Sequence, residues 1–434
     1  MLTYAHILMW LVLCLLGLAV VMVNSAGLAV GGGGVTAETL LWGRPTLYAL
    51  IALAAMLIAA RLDVRKLYAG GKLRSVTIWV LVGAAALCGL ALVPGFGKNV
   101  NGASRWLNIG PSSIGFSFQP SELAKWAMVL ALAWWGARKG AAMGGFWRGL
   151  LPGLVALGVV CGLIVLEDLG TAVLIGAVGV VMLIAAGAKL WHVGMLAPAA
   201  VAGVVGLIWT SPYRMNRLMA FADPWADPLG VGYHPIQSMV AVSGGELTGR
   251  GLGNGLQKFG YLPEDTTDFV FAIICEELGL AGAALVIGLY LAMMFVGLSV
   301  VKECRHPFGR LLGLGVLATV GIQAVINIAV VTVVMPTKGI ALTLVSAGGT
   351  GWVMCAVMVG LLAAVDRLNR HVQDEVDSDE EEWEVPRVIS ISAARAARVG
   401  GIERLRPVVP AASAVVGQIG VGLKKSIEKS KKRA

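Results

Sequence analysis

The sequence predicts an all-α integral membrane protein: a polytopic bundle of about ten transmembrane helices, with a large extracytoplasmic loop between spans seven and eight. Three observations carry this reading. Of 434 residues, 57% are hydrophobic and only 14% charged, whereas a soluble domain carries roughly a quarter charged residues. Apolar runs long enough to cross a ~30 Å hydrocarbon core recur from Leu8 to about Val365. The charges collect in short segments between those runs. Inside lipid each backbone amide must be satisfied within its own segment, so runs rich in Leu, Ala, Val and Gly read as helices.

In chain order the runs place helices near 7–24, 46–61, 76–94, 119–137, 151–166, 169–187, 192–210, 268–300, 311–335 and 344–365. Loop charges set the orientation. Arg61, Arg65, Lys66, Lys72 and Arg74 follow span two; Arg138, Lys139 and Arg148 follow span four; Lys302, Arg305 and Arg310 follow span eight. The alternate short loops are poor in cations, with Arg44, then Lys98 and Arg105, then Lys338. Positive charge favours the cytoplasmic side, so both termini of this multi-pass protein are expected there. Two loops on the opposite side stand out, about Gly95–Phe118 and Ser211–Thr267. The second is long enough to require a function or internal structure.

Residues 1–365 are thus expected to form the membrane domain and 366–434 a disordered cytoplasmic tail. The tail opens with an acidic block, Asp374 to Glu384, and closes on Lys424, Lys425, Lys429, Lys431, Lys432 and Arg433. Its basic end suits anionic lipid, and a merely solubilising tail explains it equally well. The net charge of +9 is distributed as a topology signal, which argues against nucleic acid as a partner. The six cysteines stand apart, without metal-ligand spacing, so neither a structural disulfide nor a zinc site is expected.

Candidate chemistry lies on the extracytoplasmic side. In YLPEDTTDFVFAIICEELG, Asp268 opens the eighth apolar run beside Glu264 and Asp265. A carboxylate near others and partly desolvated has a raised pKa, which suits a general base. The same position suits a plain N-cap, and spacing alone does not separate the two readings. Glu276 and Glu277 lie further along and read as ion-pair or helix-contact residues in preference to catalysis. In the fourth span Pro120 fits a first helical turn and Glu122 resembles a capping-box acid. Glu122 and Lys125 share a helix face and can pair. Arg214, Arg217, Arg250 and Lys258, with the amides of the Gly-rich run Gly249–Gly255, are a candidate phosphate or pyrophosphate cradle. Glycines also serve tight turns, so that signal is weak. Pro336 and Gly339 break the ninth run next to Lys338, as in broken helices that line cavities. A base and several cations on one face suit displacement of a diphosphate, a leaving group that needs no strong acid.

Four segments resemble the SEDS family (shape, elongation, division and sporulation proteins, represented by FtsW, RodA and SpoVE): RWLNIGPSSIGFSFQPSELAK, DPWADPLGVGYHPIQS, GELTGRGLGNGLQKFGYLPEDTTDFVFAIICEELG and NIAVVTVVMPTKG. The resemblance covers about residues 7–365, and the PTKG and GELTGRG motifs look most like the division members. It implies a peptidoglycan glycosyltransferase that polymerises lipid II at the outer leaflet, at the division septum. Asp268 falls on the family's essential acid, which takes the proton of the acceptor's GlcNAc 4-hydroxyl while undecaprenyl diphosphate leaves. Lys125, Lys338, Arg214 and Arg217, with Arg105 and Glu122, fall on positions that engage the diphosphate or shape the cavity. The implied partners are a class B penicillin-binding protein and other division proteins. No organic cofactor is implied; a divalent cation such as Mg2+ or Mn2+ on the diphosphate is compatible with the chemistry. The chain departs from the family pattern at LEDLGT (166–171), GYH (232–234) and LTLVSAGGTG (342–351). Two other functions fit the family: a lipid II flippase, using Glu122, Lys125, Asp168, Glu276 and Glu277 as a polar route, and a division scaffold acting through its tail.

Overall fold

The computed structural model describes residues 3–27, 36–69, 75–93, 96–100, 103–108 and 117–382. The chain divides into two units, Met1–Asp374 and Glu375–Ala434, and the helical bundle belongs to the first. Helices are found at all ten places where the apolar runs put them: α1 (Tyr4–Ala26), α3 (Arg44–Ala60), α5 (Val76–Ala91), α6 (Pro120–Lys139), α7 (Leu151–Val165), α8 (Leu169–Ala185), α9 (Leu190–Trp209), α12 (Val270–Glu303), α13 (Pro307–Val331) and α14 (Gly349–Glu382). Six helical stretches among the described residues are long and apolar enough to cross a membrane: Tyr4–Ala26, Phe146–Val165, Leu190–Trp209, Val270–Glu303, Pro307–Val331 and Gly349–Arg370. The chain is an integral membrane protein. α3, α5 and α8 are apolar but shorter, and α6 carries Glu122, Lys125, Arg138 and Lys139.

Local sequence sets the helix starts. Thr3 caps α1, its hydroxyl accepting from the His6 amide. Proline opens α3, α6 and α13, where a missing N–H costs nothing. Asp168 caps α8, accepting from the Thr171 amide at 3.0 Å and its hydroxyl at 2.8 Å. At the centre, α13 packs against α6, α8 and α12, and α1 lies along α12. α9 is the exception: none of its residues is buried. Short helices α2 (Ala37–Trp42) and α4 (Val64–Tyr68) complete the first third of the chain.

Two loops are structured, and one corrects the all-α expectation. Between α5 and α6 lies an antiparallel sheet of β1 (Gly97–Val100), β2 (Ala103–Asn108) and β3 (Ser117–Phe118), in the order β1-β2-β3, with a register irregularity between Lys98 and Val100. The sequence signal was the Asn101–Gly102 pair, a strong marker of tight hairpins, set between two short extended runs. The loop after α9 carries α10 (Pro212–Ala222) and α11 (Tyr233–Gly244).

α12 is two helices joined at a break. Gly279 sits at φ 64°, ψ −159°, a conformation that L side chains avoid. The break leaves backbone groups unpaired within the helix, and the loop after α11 takes them up. The amides of Arg250 and Gly251 donate to the carbonyls of Glu276 and Glu277, and the Leu280 amide donates to the Glu246 carbonyl. At the far end, α14 runs past the expected division at residues 365 and 366. Asp366 is buried, accepting from the Ala5 amide at 3.2 Å and from Arg370 at 3.0 Å. The loop cations Lys72 and Arg74, the side chains of the acidic block and the basic tail lie outside the described residues.

Candidate active site

The segment that follows α13 determines the site. α13 stops at Val331, and residues 332–348 have no helix before α14 begins at Gly349. Pro336, without an N–H, forbids continuation. Irregular backbone beside membrane helices needs hydrogen-bond partners or water, so it lines a cavity. That cavity measures about 350 Å³. Its walls come from Trp106 of β2, Glu122, Asp168, Arg217, Asp268 and the segment Gly339–Trp352, among others.

Asp268 is half-buried and lies in the turn just before α12. The N-cap position belongs to Phe269 and makes no side-chain cap, so capping does not account for the acid. Its carbonyl accepts from Asn327 Nδ2 at 2.8 Å. Glu264 lines the same wall with a left-handed backbone (φ 57°) and accepts from the Thr267 hydroxyl at 2.8 Å. Between them, Asp265 has its carboxyl pushed up to about 6, chiefly by burial and further by Glu264.

Arg217 reaches the cavity, its guanidinium 4.6 Å from the Tyr213 ring centroid and donating to the Thr337 carbonyl at 3.3 Å. Lys338 follows Thr337 directly. Burial lowers its ammonium pKa, and the charge of Asp168 pulls it back up. Lys125 is buried behind the wall, where it donates to both Glu122 oxygens and to Gln323 Oε1, each at 2.9 Å. The expected Glu122–Lys125 pair is therefore formed. It replaces the expected capping box: Gln119 makes no side-chain cap, and the Glu122 carboxylate turns to the amine. Gln323 Nε2 donates to the Ala341 carbonyl at 2.8 Å.

Two expectations fail. Arg214 does not line the cavity; its guanidinium donates to the carbonyls of Val165 (2.8 Å) and Leu207 (3.2 Å), in the last turns of α7 and α9. A cation at helix C-termini is favoured by the free carbonyls there. The Gly-rich run holds no open anion cradle either, because its amides already hold the protein's own acids. Gly253 and Gly255 donate to the Glu277 carboxylate at 3.0 and 3.3 Å, and Leu256 and Gln257 to Glu276 at 2.8 and 3.2 Å. Lys258 closes the network at 2.7 Å from Glu277, both side chains fully buried, and the Ser25 hydroxyl joins from α1 at 2.7 Å. Glu276 and Glu277 are thus structural, as the sequence suggested. Arg105 lies in β2, its side chain outside the described residues. His234, where the family pattern has another residue, sits 6.2 Å from the Phe269 ring; burial and Arg217 lower its pKa.

The family of cell cycle proteins that groups FtsW, RodA and SpoVE matches residues 6–371. The chain belongs to the FtsW/RodA/SpoVE family. Among its relatives, a probable peptidoglycan glycosyltransferase FtsW of Nitrosococcus halophilus is 39% identical over 82% of this chain and 92% of its own length. The stage V sporulation protein E of Bacillus subtilis is 36% identical over 65% of this chain and 76% of its own. Among solved structures, a chain from a peptidoglycan synthase complex, studied for the coordination of polymerisation and crosslinking, superposes with a TM-score of 0.65. It is 28% identical, over 83% of this chain and 96% of that one. A mutant of the rod shape determining protein RodA of Thermus thermophilus gives 0.57 at 25% identity, over the same shares of the two chains.

Proposed function

We propose that this family member is the peptidoglycan glycosyltransferase of a division machinery, a ten-span protein of the bacterial cytoplasmic membrane at the septum. Both termini and the charged tail then face the cytoplasm, and the cavity opens at the outer leaflet. One observation carries the reading: Asp268 and Arg217 line one cavity, and the segment from Gly339, next to Lys338, forms part of its wall.

In the reaction, the 4-hydroxyl oxygen of lipid II GlcNAc attacks C1 of the strand's MurNAc. Asp268 takes the hydroxyl proton as that bond forms. The bond from C1 to the diphosphate oxygen breaks, undecaprenyl diphosphate leaves, and the α-linkage becomes β-1,4. Arg217 and Lys338 face the diphosphate and stabilise the charge that grows on it. Lys125 acts from behind the wall, holding Glu122 in place.

Among the described residues no group of three or more His, Cys, Asp or Glu side chains could hold a metal ion. Mg2+ is commonly bound through substrate phosphates with few protein ligands, so Mg2+ or Mn2+ would arrive on the diphosphate.

A transpeptidase partner, a class B penicillin-binding protein, fits the likeness to a synthase that couples polymerisation with crosslinking. The flippase alternative loses part of its basis, because Glu276 and Glu277 are engaged by the Gly-rich loop and cannot contribute to a polar route. The deciding experiment incubates the purified full chain and its transpeptidase partner with lipid II. Wild-type protein makes glycan strands and folded Asp268→Ala does not; strand synthesis by the variant at the wild-type rate removes Asp268 as the base.

A further inference from the structure

Two uncharged amides on α13 tie the site together: Gln323, and Asn327 at the head of the NIAVVTVVMPTKG segment, to which the resemblance assigns no role. Gln323 and Asn327 are four residues apart and so share one helix face. They are 5% and 1% exposed. Asn327 Nδ2 donates at 2.8 Å to the carbonyl of Asp268 and at 2.8 Å to the carbonyl of Ile340. An amide nitrogen carries two hydrogens, so both are used. Asn327 Oδ1 is buried with no hydrogen-bond partner among the described residues. The opposite assignment of O and N would set an oxygen against two carbonyls, so the direction of the amide is fixed by its surroundings.

Each partner matters by position. Asp268 lies in the turn just before α12, and Phe269 at the N-cap makes no side-chain cap. Ile340 follows Lys338 by two residues in a segment without helix. The two pieces of chain are far apart in sequence, and Asn327 holds both through one nitrogen. A second tie, the Ala347 amide to the Thr266 carbonyl at 2.8 Å, joins the same two segments from the other side. One turn away, Gln323 does the same for Lys125 and Ala341.

Building on the reading of Asp268 as the base, we infer that Asn327 is a positioning residue that sets the placement of the Asp268 carboxylate against the Lys338 segment. It touches no reacting atom. Its side chain sets a distance: the gap between the group that takes the proton and the cation that faces the leaving diphosphate. A misplacement of about 1 Å in such a constellation costs on the order of 100-fold in rate.

The test uses the full-length chain with its transpeptidase partner and lipid II, comparing Asn327→Leu, Asn327→Ser and Asp268→Asn. Leucine keeps the volume and removes both donors; serine keeps one. The expected result is a loss of kcat on the order of 10- to 100-fold for N327L, with KM for lipid II nearly unchanged, N327S intermediate, and D268N inactive. Serine also serves if the leucine variant does not fold. Wild-type kcat per folded molecule in N327L or N327S, with D268N inactive, overturns the positioning role and leaves Asp268 as the base. A rise in KM at constant kcat overturns it too, since that marks substrate binding. Full activity in D268N overturns the reading on which the inference rests.

Discussion

The Lys258–Glu277 pair gives a sharp test of the architecture, because breaking it from either side has unequal consequences. Both side chains are fully buried, 2.7 Å apart. Removing one partner of a buried pair costs about 3–5 kcal/mol, because the other charge remains without compensation. The environment ranks the two changes. In Lys258→Met, Glu277 keeps the Ser25 hydroxyl and the amides of Gly253 and Gly255, which places the loss near the lower end, about 3 kcal/mol. In Glu277→Leu, the Lys258 ammonium retains the Ser25 hydroxyl oxygen, at 3.3 Å, as its hydrogen-bond acceptor among the described residues. That thinner compensation places the loss near about 5 kcal/mol. In the double variant neither charge is left behind, so its loss falls below the sum by a coupling of up to about 3 kcal/mol. Thermal unfolding of the detergent-solubilised full chain, followed by tryptophan fluorescence, measures all three. A wild-type midpoint in K258M, or strict additivity in the double variant, refutes the reasoning that this loop is fastened through its acids.

Gly279→Ala is expected to destabilise α12 at its break by at least about 1–2 kcal/mol, because the positive φ is joined by a close approach of the Leu247 carbonyl; the unfolding midpoint reads it. Asp265→Asn is expected to stabilise the protein at pH 8 and to lose that advantage as pH falls through about 6 toward 3.8. The folded-state pKa lies above the ordinary carboxylate value, so the cost belongs to the charged form and disappears once the acid is protonated; midpoints at pH 8 and pH 5 check the sign. Lys338→Arg is expected to move the alkaline limb of the polymerisation profile to higher pH, since burial lowers the lysine's pKa and a guanidinium stays charged. Rates across pH 7 to 10 measure it, and coincident limbs exclude Lys338 as the titrating group.

The positions of the long helices were readable because lipid demands uninterrupted apolar runs, and those survive any tertiary arrangement. Asp268 and Arg217 were readable as residue types at a helix start and in a cationic loop. Arg214 goes elsewhere than the cavity because a guanidinium takes the nearest acceptors, here the end of the preceding helix α9 and, far away in sequence, the end of α7. The Gly-rich run misled for a related reason. Exposed amides attract any carboxylate or phosphate, and Glu276 and Glu277 were already within reach. Gln323 and Asn327 carry no charge and sit in an apolar run, so residue type alone gives them no role. The available signal is their spacing of four on one face of the stretch 320–331, otherwise Ala, Val, Ile and a single Gly, where a polar side chain normally has an interhelical task. The β-strands leave no trace in the apolar periodicity that marks the helices; their signal in the sequence is the Asn-Gly pair.

The dispersal of the cavity wall along the chain has a consequence for biogenesis. Its components run from Trp106 to Trp352, and the anchor for the Asp268 turn comes from Asn327, on a helix made after it. A growing polypeptide emerges N-terminus first, so the acid leaves the ribosome well before the side chain and the segment that fix its place. No early fragment of this protein can carry a finished site, and a chain stalled before residue 340 would be inserted in the membrane yet inert.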